Sequence, residues 1–519
     1  MKVIQFFLPR LEYVLLIALF WSIASSGPKI LNFDGDLPRH LLLGRLIRET
    51  KSVPLTDTFS FRTAGFPAIP HEWLSQVIFS MANDMFGLNG VVLLTALLVS
   101  ATWAIVYREA SRRSTNLFVN LAVTATGMAV SMLHVLPRPH LFTYLFTALW
   151  ILVLERLKKD KPNVWWLLPV LMLLWVNLHG MFVVGVVIWG IYLIGNLLEN
   201  LSRSWLTHSS TRSMLIGGVL SLVATLFSPS GVRVWESIIS LGSNAYITSR
   251  IPEYQSANFH MPETWPFILL LVVAVVGFAR SGNRTTWTHI LLVASFAALA
   301  LYTSRMIPLF AIVAVPVVAM SLSEWINHDF PNSRFVTIDR NFSNINVSSN
   351  GLIWLFVGFI VAALIFKAGG TIDPQGKGNR FDSSFFPVLA VDWLNSHPQQ
   401  GHMFNEFDWG GYLLLKLVPR QQIFMDGHTH IYGETLTREY ESVVTLGQGW
   451  QNILDTYQVT WAIVRINAPI AQALQNAGWE KVYQDGTTII LKRLPFTEAA
   501  GERSLAAYHF WLINSSTGS

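Results

Sequence analysis

Long apolar runs recur through the first two thirds of the chain, near 11–26, 87–107, 117–135, 141–157, 164–178, 181–197, 214–228, 266–279, 287–302, 307–322 and 352–368. Most are about 16 to 22 residues, enough for a helix to cross a hydrocarbon core of roughly 30 Å, the shorter ones with tilt or snorkelling flanks. The pattern predicts a polytopic α-helical membrane protein with about eleven transmembrane helices. Lys2 and Arg10 precede the first run as they would in a secretory signal, but so many further spans follow that it reads as a retained first helix. Between the first two runs lies a long polar stretch, Asn32 to Glu72, and residues 74–86 form an amphipathic approach to the second span.

Past residue 369 the pattern changes. Residues 369–383 are a Gly-, Asp- and Ser-rich linker, and 384–494 alternate short strand-like and helix-like segments. HMFNEFDWGGYLLLKLV is expected to give a short strand, a turn and a helix, with further strands at QQIFMDG and VTWAIVRI and a closing hairpin at Asp485-Gly486. That alternation predicts a small soluble α/β domain with a mostly parallel sheet and a hairpin edge. Residues 323–350 read as a polar linker, and the tail 495–519 has no clear pattern.

Composition agrees with a lipid-embedded chain. Only 13% of residues are charged, 52% are hydrophobic and the mean hydropathy is +0.43, against about 25% charged in soluble proteins. Twenty Trp and 33 Phe suit interfacial belts. The net charge of +5 orients loops; no basic run interleaved with aromatics suggests nucleic acid as a partner. The absence of Cys excludes disulfides, thiolate catalysis and Cys-ligated metals.

Lys and Arg fall in every second loop: Arg108, Arg112 and Arg113; Arg156, Lys158, Lys159 and Lys161; Arg203 and Arg212; Arg280 and Arg284. The positive-inside rule places these loops and the N-terminus in the cytoplasm. The alternate loops, 27–72, 136–140, 178–181, 229–265 and 303–306, then face outward with the C-terminal domain. They hold most of the unusual polar residues: Asp34, Asp36, Arg39, His40, His71, Glu72, Arg138, His140, Asn177, His179, Glu253 and Arg305. Ionisable groups at a membrane edge are costly unless water, a partner or a ligand satisfies them, so their recurrence on one side predicts a shared site.

The segments DxxxHLLLGRLI, PLTDTFSF, HEWLSQ, RPHLFTYLF, NLHG, SPSGVRVW, SRMIPLFA, FNEFDWGGYLLLKL and IFMDGHTHIYG carry a resemblance. The chain resembles the GT-C superfamily of membrane glycosyltransferases, and more closely a largely uncharacterised family of bacterial multispanning proteins of that type. The resemblance covers nearly the whole chain. It implies a polyprenyl-phosphate-linked sugar donor, a lipid or cell-envelope glycan acceptor, and a location in the bacterial inner membrane with the C-terminal domain periplasmic. The paired Asp-Glu of the protein O-mannosyltransferases is absent; Asp34-Gly35-Asp36 is reminiscent of acidic motifs elsewhere in the superfamily.

Such a transfer needs a base for the acceptor hydroxyl and cations for the leaving phosphate. Asp36 is the first choice of base and Asp34 the second, both shortly after the first span, where the superfamily places its catalytic Asp. Glu72 is a further acidic candidate. The plainer alternatives are that Asp34 and Asp36 cap the helix opening at Leu37-Pro38, and that Glu72 complements a helix dipole. Asp57 reads as a turn residue. Arg138, set between two prolines, Arg305 and Arg39 are candidates for the donor phosphate, since a guanidinium fork matches phosphate geometry; snorkelling to headgroups is the plainer fate. His40, His140 and His179 are candidate phosphate donors. Their spacing matches no metal motif, so a divalent cation is possible without being required. In the C-terminal domain, Asn405, Asp408, Asp426, His428 and His430 gather near expected strand ends, where open α/β sheets bind ligands. They suit a structural or acceptor-binding role. No Gly-rich phosphate loop or nucleophile elbow is present.

Two other functions fit a chain of this kind. A transporter or lipid flippase would bury ionisable groups at midspan near broken helices, and these spans are nearly free of charge. A non-catalytic envelope scaffold would keep the fold and present the C-terminal domain.

Overall fold

The structure is a computed structural model that describes residues 7–159, 161–200, 208–280 and 285–494. The tail 495–519, Lys2, Arg203 and Arg284 lie outside the described residues. The chain separates into two compact units. Among the described residues, one holds 7–58, 63–382 and 427–434; the other holds 59–62, 383–426 and 435–494.

The first unit is helical. Helices stand at every position where the apolar pattern expects a span, and among the described residues six are long and apolar enough to cross a membrane: Leu88–Arg113, Leu117–His134, His140–Lys158, Gly180–Glu199, Pro262–Arg280 and Ser304–Asp329. A seventh arises if the bent pair Arg334–Ser348 and Ile353–Lys367 counts as one span. Leu11–Ser25, Leu167–Leu178 and Trp287–Tyr302 are apolar but shorter, and Ser209–Ala224 is a 16-residue helix. The expected count of about eleven therefore exceeds the helices that qualify by length and apolarity. Polar caps and turns, such as His179 and Thr303, end the shorter helices early.

Ser304–Asp329 is the hub. It packs against Leu117–Ser131, Leu88–Arg113, Trp287–Tyr302 and Trp265–Arg280, and 94% of its apolar window is buried. A helix apolar all round is what such a position requires. At one end of the bundle, charged groups from several helices satisfy each other. Arg113 pairs with Glu109 at 3.0 Å and Glu155 at 3.2 Å, and Tyr192 donates to Glu155. Lys158 pairs with Glu199 and donates to Thr286 and Thr288. Two cations used to orient the chain are thus internal fasteners. The stretch 323–350, expected as a linker, is mostly helix: Ile307–Asp329 runs into it, and Arg334–Ser348 follows. Its polar composition hid an amphipathic period.

The second unit carries a four-stranded sheet of β1 (His402–Asn405), β2 (Val459–Arg465), β3 (Glu480–Gln484) and β4 (Thr488–Lys492), in the order β1-β2-β4-β3. Only β1 and β2 are parallel, with Phe404 opposite Ala462; β4 is antiparallel to both β2 and β3. The sheet is mixed rather than mostly parallel. The expected strand QQIFMDG is missing from it, and Ile423 makes a single bridge with Ser60. The side chain of Asn405 replaces a strand neighbour there: it accepts from the Phe424 N–H at 2.8 Å and donates to the Met425 carbonyl at 2.9 Å.

Candidate active site

The polar stretch after the first helix folds into two packed helices, Leu37–Thr50 and Trp73–Phe86. Pro38 at the start of the first fixes a helical φ without losing a needed N–H. Gly44 lets the two approach closely, because a Cβ there would strike the Gln76 carbonyl. Arg39 and His40 on the first helix thereby come beside Glu72 at the head of the second.

Neither acidic group is a helix cap. Asp36 and Glu72 occupy the N-cap positions, yet neither side chain bonds its helix. Asp34, which is buried, accepts the Asp36 N–H and takes Arg138 in a two-pronged ion pair. The same guanidinium lies 3.2 Å from Asp36 and 3.1 Å from Glu253. Three carboxylates hold Arg138 in its charged form, well above its ordinary pKa against the opposing effect of burial. Burial works to raise Glu253, but Arg138 and Arg305 outweigh it and keep that carboxyl below its usual range.

Glu72 has different company. His179 Nε2 lies 3.6 Å from it, His71 Nε2 3.8 Å and His40 Nδ1 3.9 Å. Burial pushes His40 below the ordinary imidazole range against the pull of Glu72. Burial likewise pushes His179 well down, with Arg305 adding to it. Both rings are therefore uncharged at neutral pH. His179 Nδ1 is bonded to Thr143 at 2.8 Å, and Thr143 also accepts from Trp175. Gly180 makes room for His71, whose ring would lie 2.9 Å from a Cβ there. Gln76 bonds His40, and Trp73 donates to Asn177.

Arg305 sits at the turn before the hub helix and donates to the Tyr254 hydroxyl at 3.0 Å, with the Tyr254 ring 5.4 Å away. Among the described residues no carboxylate lies within ion-pair distance of it. Thr303 and Ser304 donate to the Glu253 carbonyl, tying this turn to the loop that carries Glu253. His140 is turned to the His134 carbonyl and packs edge-on against Tyr144.

The loops expected to face outward therefore meet. Asp34 joins 27–72 to 136–140, Glu253 joins 229–265 to both 136–140 and 303–306, and Glu72 joins 27–72 to 178–181. The segment Gly427–Glu434 also belongs to this unit. Its His428 bonds Arg39 at 2.8 Å, and His430 packs 4.0 Å from His428 and 5.7 Å from His71. Arg39 also lies 3.8 Å from Asp57, which closes a turn by accepting from Thr63. Asp408 and Asp426 lie in the other unit. Asp408 is exposed and 3.4 Å from Arg465; Asp426 is buried. Among the described residues no three His, Asp or Glu side chains are set to hold a metal ion.

Sequence reasoning left Glu253, Tyr254 and Thr143 without a role, and did not join His428 and His430 to Arg39. Glu253 carried a signal, its place among the polar residues of the outward loops. Tyr254 and Thr143 carried none, because their partners are distant in the chain.

The chain has a GT-C fold, shared with solved glycosyltransferase structures. The solved structures it resembles include the oligosaccharyltransferase of Archaeoglobus fulgidus in the apo form. That superposition has a TM-score of 0.55 and 11% identity over 88% of this chain and 69% of that one. The same enzyme tethered to an acceptor peptide containing the NVT sequon superposes with a TM-score of 0.52, at 11% identity and the same coverage. ArnT from Cupriavidus metallidurans bound to undecaprenyl phosphate gives 0.46 and 12% identity over 93% of this chain and 98% of that one. The fold assignment rests on the oligosaccharyltransferase superpositions. No protein-family profile and no curated protein matches the chain.

Proposed function

We propose that the protein transfers a sugar from a polyprenyl-phosphate donor to a lipid or cell-envelope glycan acceptor, at the outer face of a bacterial inner membrane. One observation carries this reading: loops far apart in the chain converge on a single cluster of carboxylates, imidazoles and guanidinia within a GT-C fold. The chain is read as crossing the membrane about eleven times, with the N-terminus cytoplasmic and the second unit outside.

In the transfer, the bond from the anomeric carbon to the phosphate oxygen breaks as the acceptor oxygen bonds to that carbon. The acceptor proton passes to a carboxylate, and polyprenyl phosphate leaves. Asp36 leads on sequence grounds, but Arg138 stabilises its charged form and weakens it as a base. Glu72, whose near neighbours are His40, His71 and His179 rather than an arginine, is the proposed base. Arg138 is spent on Asp34, Asp36 and Glu253, so the leaving phosphate falls to Arg305, which among the described residues donates to the Tyr254 phenol and pairs with no carboxylate. Asp34 and Arg138 become the clamp that fixes three loops. His40 and His179 orient Glu72, Arg39 is engaged with His428, and His140 with the His134 carbonyl. Asp408 keeps a proposed acceptor-binding role in the second unit.

A transporter would concentrate ionised groups at midspan. Here Arg113, Glu155, Lys158 and Glu199 stand at helix ends. The test is envelope glycan mass spectrometry on a deletion strain. Wild-type protein restores the missing sugar, and Glu72→Gln, inserted at the wild-type level, does not. Restoration by Glu72→Gln would exclude its role as base, and an unchanged glycan profile in the deletion strain would exclude the transfer.

A further inference from the structure

The helix Arg334–Ser348 is fixed to the first unit by its polar residues. Ser333 caps it, accepting from the Val336 N–H. Asp339 accepts from the Leu117 and Phe118 N–H groups at 3.1 and 2.7 Å, at the N-terminus of one span. Asn346 accepts from the Leu11 N–H at 2.8 Å and donates to Glu12, at the N-terminus of another. The seven steps from Asp339 to Asn346 rise about 10 Å, roughly the distance between two packed helix axes. The helix therefore runs across the ends of two spans rather than beside either. It then bends by 69° into Ile353–Lys367.

Beside the docked face runs an apolar stripe. Phe335, Ile338, Phe342 and Ile345 are 42%, 48%, 47% and 55% exposed. Their spacing of three and four residues puts them on one side of the helix. Phe118 packs at a tilt against the two Phe rings, with centroids 6.4 and 5.4 Å away. The remaining face holds Arg334, Thr337, Arg340, Asn341 and Asn344, all exposed. The one acid of the helix, Asp339, is buried, so its exposed charges are all cationic. The stripe continues into the exposed apolar side chains Ile353, Trp354, Phe356 and Ile360 of the next helix.

We propose that Arg334–Ser348 is an in-plane anchor that binds the surface of an anionic bilayer on the side opposite the polar cluster. Phe335, Ile338, Phe342 and Ile345 enter the headgroup–acyl boundary, and Arg334 and Arg340 face anionic headgroups. The inference needs the bundle to be membrane-embedded but not the transfer reading, so either can fail alone.

The chain has no Cys, so single labels can be placed without background. Nitroxides are attached to Ile338→Cys, Phe342→Cys, Asn341→Cys and Asn344→Cys in the full-length protein, held in nanodiscs of mixed phosphatidylcholine and phosphatidylglycerol. Collisions with oxygen, which partitions into lipid, are compared with collisions with an aqueous nickel chelate. The stripe sites should favour oxygen and the Asn sites nickel, the ratios differing by about tenfold. Equal nickel access at all four sites overturns the proposal. So does exclusion of both reagents from the stripe, with spin–spin broadening showing a second copy, or without it showing cover by another protein segment. Pure phosphatidylcholine discs, or Arg334→Gln with Arg340→Gln, should lower the oxygen-to-nickel ratio at Phe342→Cys by about twofold. An unchanged ratio in both overturns the preference for anionic lipid.

Discussion

Arg138 and Arg305 look alike in sequence and differ in the fold. Both are arginines in short outward turns, and the sequence ranks Arg138 ahead because prolines hold it on both sides. Three carboxylates then occupy it, while Arg305 faces Tyr254. The residue types at the cluster were legible; their pairing was not, because it depends on which loops meet. Arg305→Ala should lower transfer by about 10²–10³ with normal insertion, the loss typical of one preorganised charge donor. Glu72→Gln should lower turnover by about 10²–10⁴ and leave donor binding intact, as for loss of a general base. Arg138→Ala should instead destabilise the protein by about 3–5 kcal/mol, since it strands buried Asp34 without its cation; thermal unfolding in detergent measures it. His40 and His179 have folded pKa values below the unfolded value of about 6.5. The unfolded chain therefore takes up protons first, and stability is lost as pH falls below about 6.5. A melting midpoint flat from pH 5 to 8 would contradict their burial as neutral rings.

At the scale of elements, every apolar run became a helix, because burial in a bundle and an apolar period demand the same residues. Two segments were misread for the same reason. In 323–350 and in QQIFMDG, a polar side chain rather than composition determines the backbone: Asp339 docks one segment, and Asn405 holds the other out of the sheet. Such side-chain to backbone bonds leave no periodic trace. Asn405→Ala should therefore cost about 1–3 kcal/mol for each buried backbone group it strands, seen as earlier melting of the full-length chain. Gly44→Val should force Leu37–Thr50 from Trp73–Phe86 and abolish activity together with stability. Wild-type melting with Gly44→Val would show that the two helices need no close approach.

At the scale of the whole molecule, alternating loop charge foretold which turns share a side, and those turns are the ones that meet. The number of crossings was not legible in the pattern alone, because apolar runs also form helices such as Leu167–Leu178 and Trp287–Tyr302 that are shorter than a full span. A phosphatase fused after residue 494 should be active outside the cytoplasm, and a fluorescent protein at that point should be dark; the reverse result would invert the orientation. The most direct test of the shared site is binding of polyprenyl phosphate to the purified full-length protein in nanodiscs. Wild type and Glu72→Gln should bind with equal affinity, and Arg305→Ala at least about tenfold more weakly. Equal binding by all three would contradict a phosphate site at that turn.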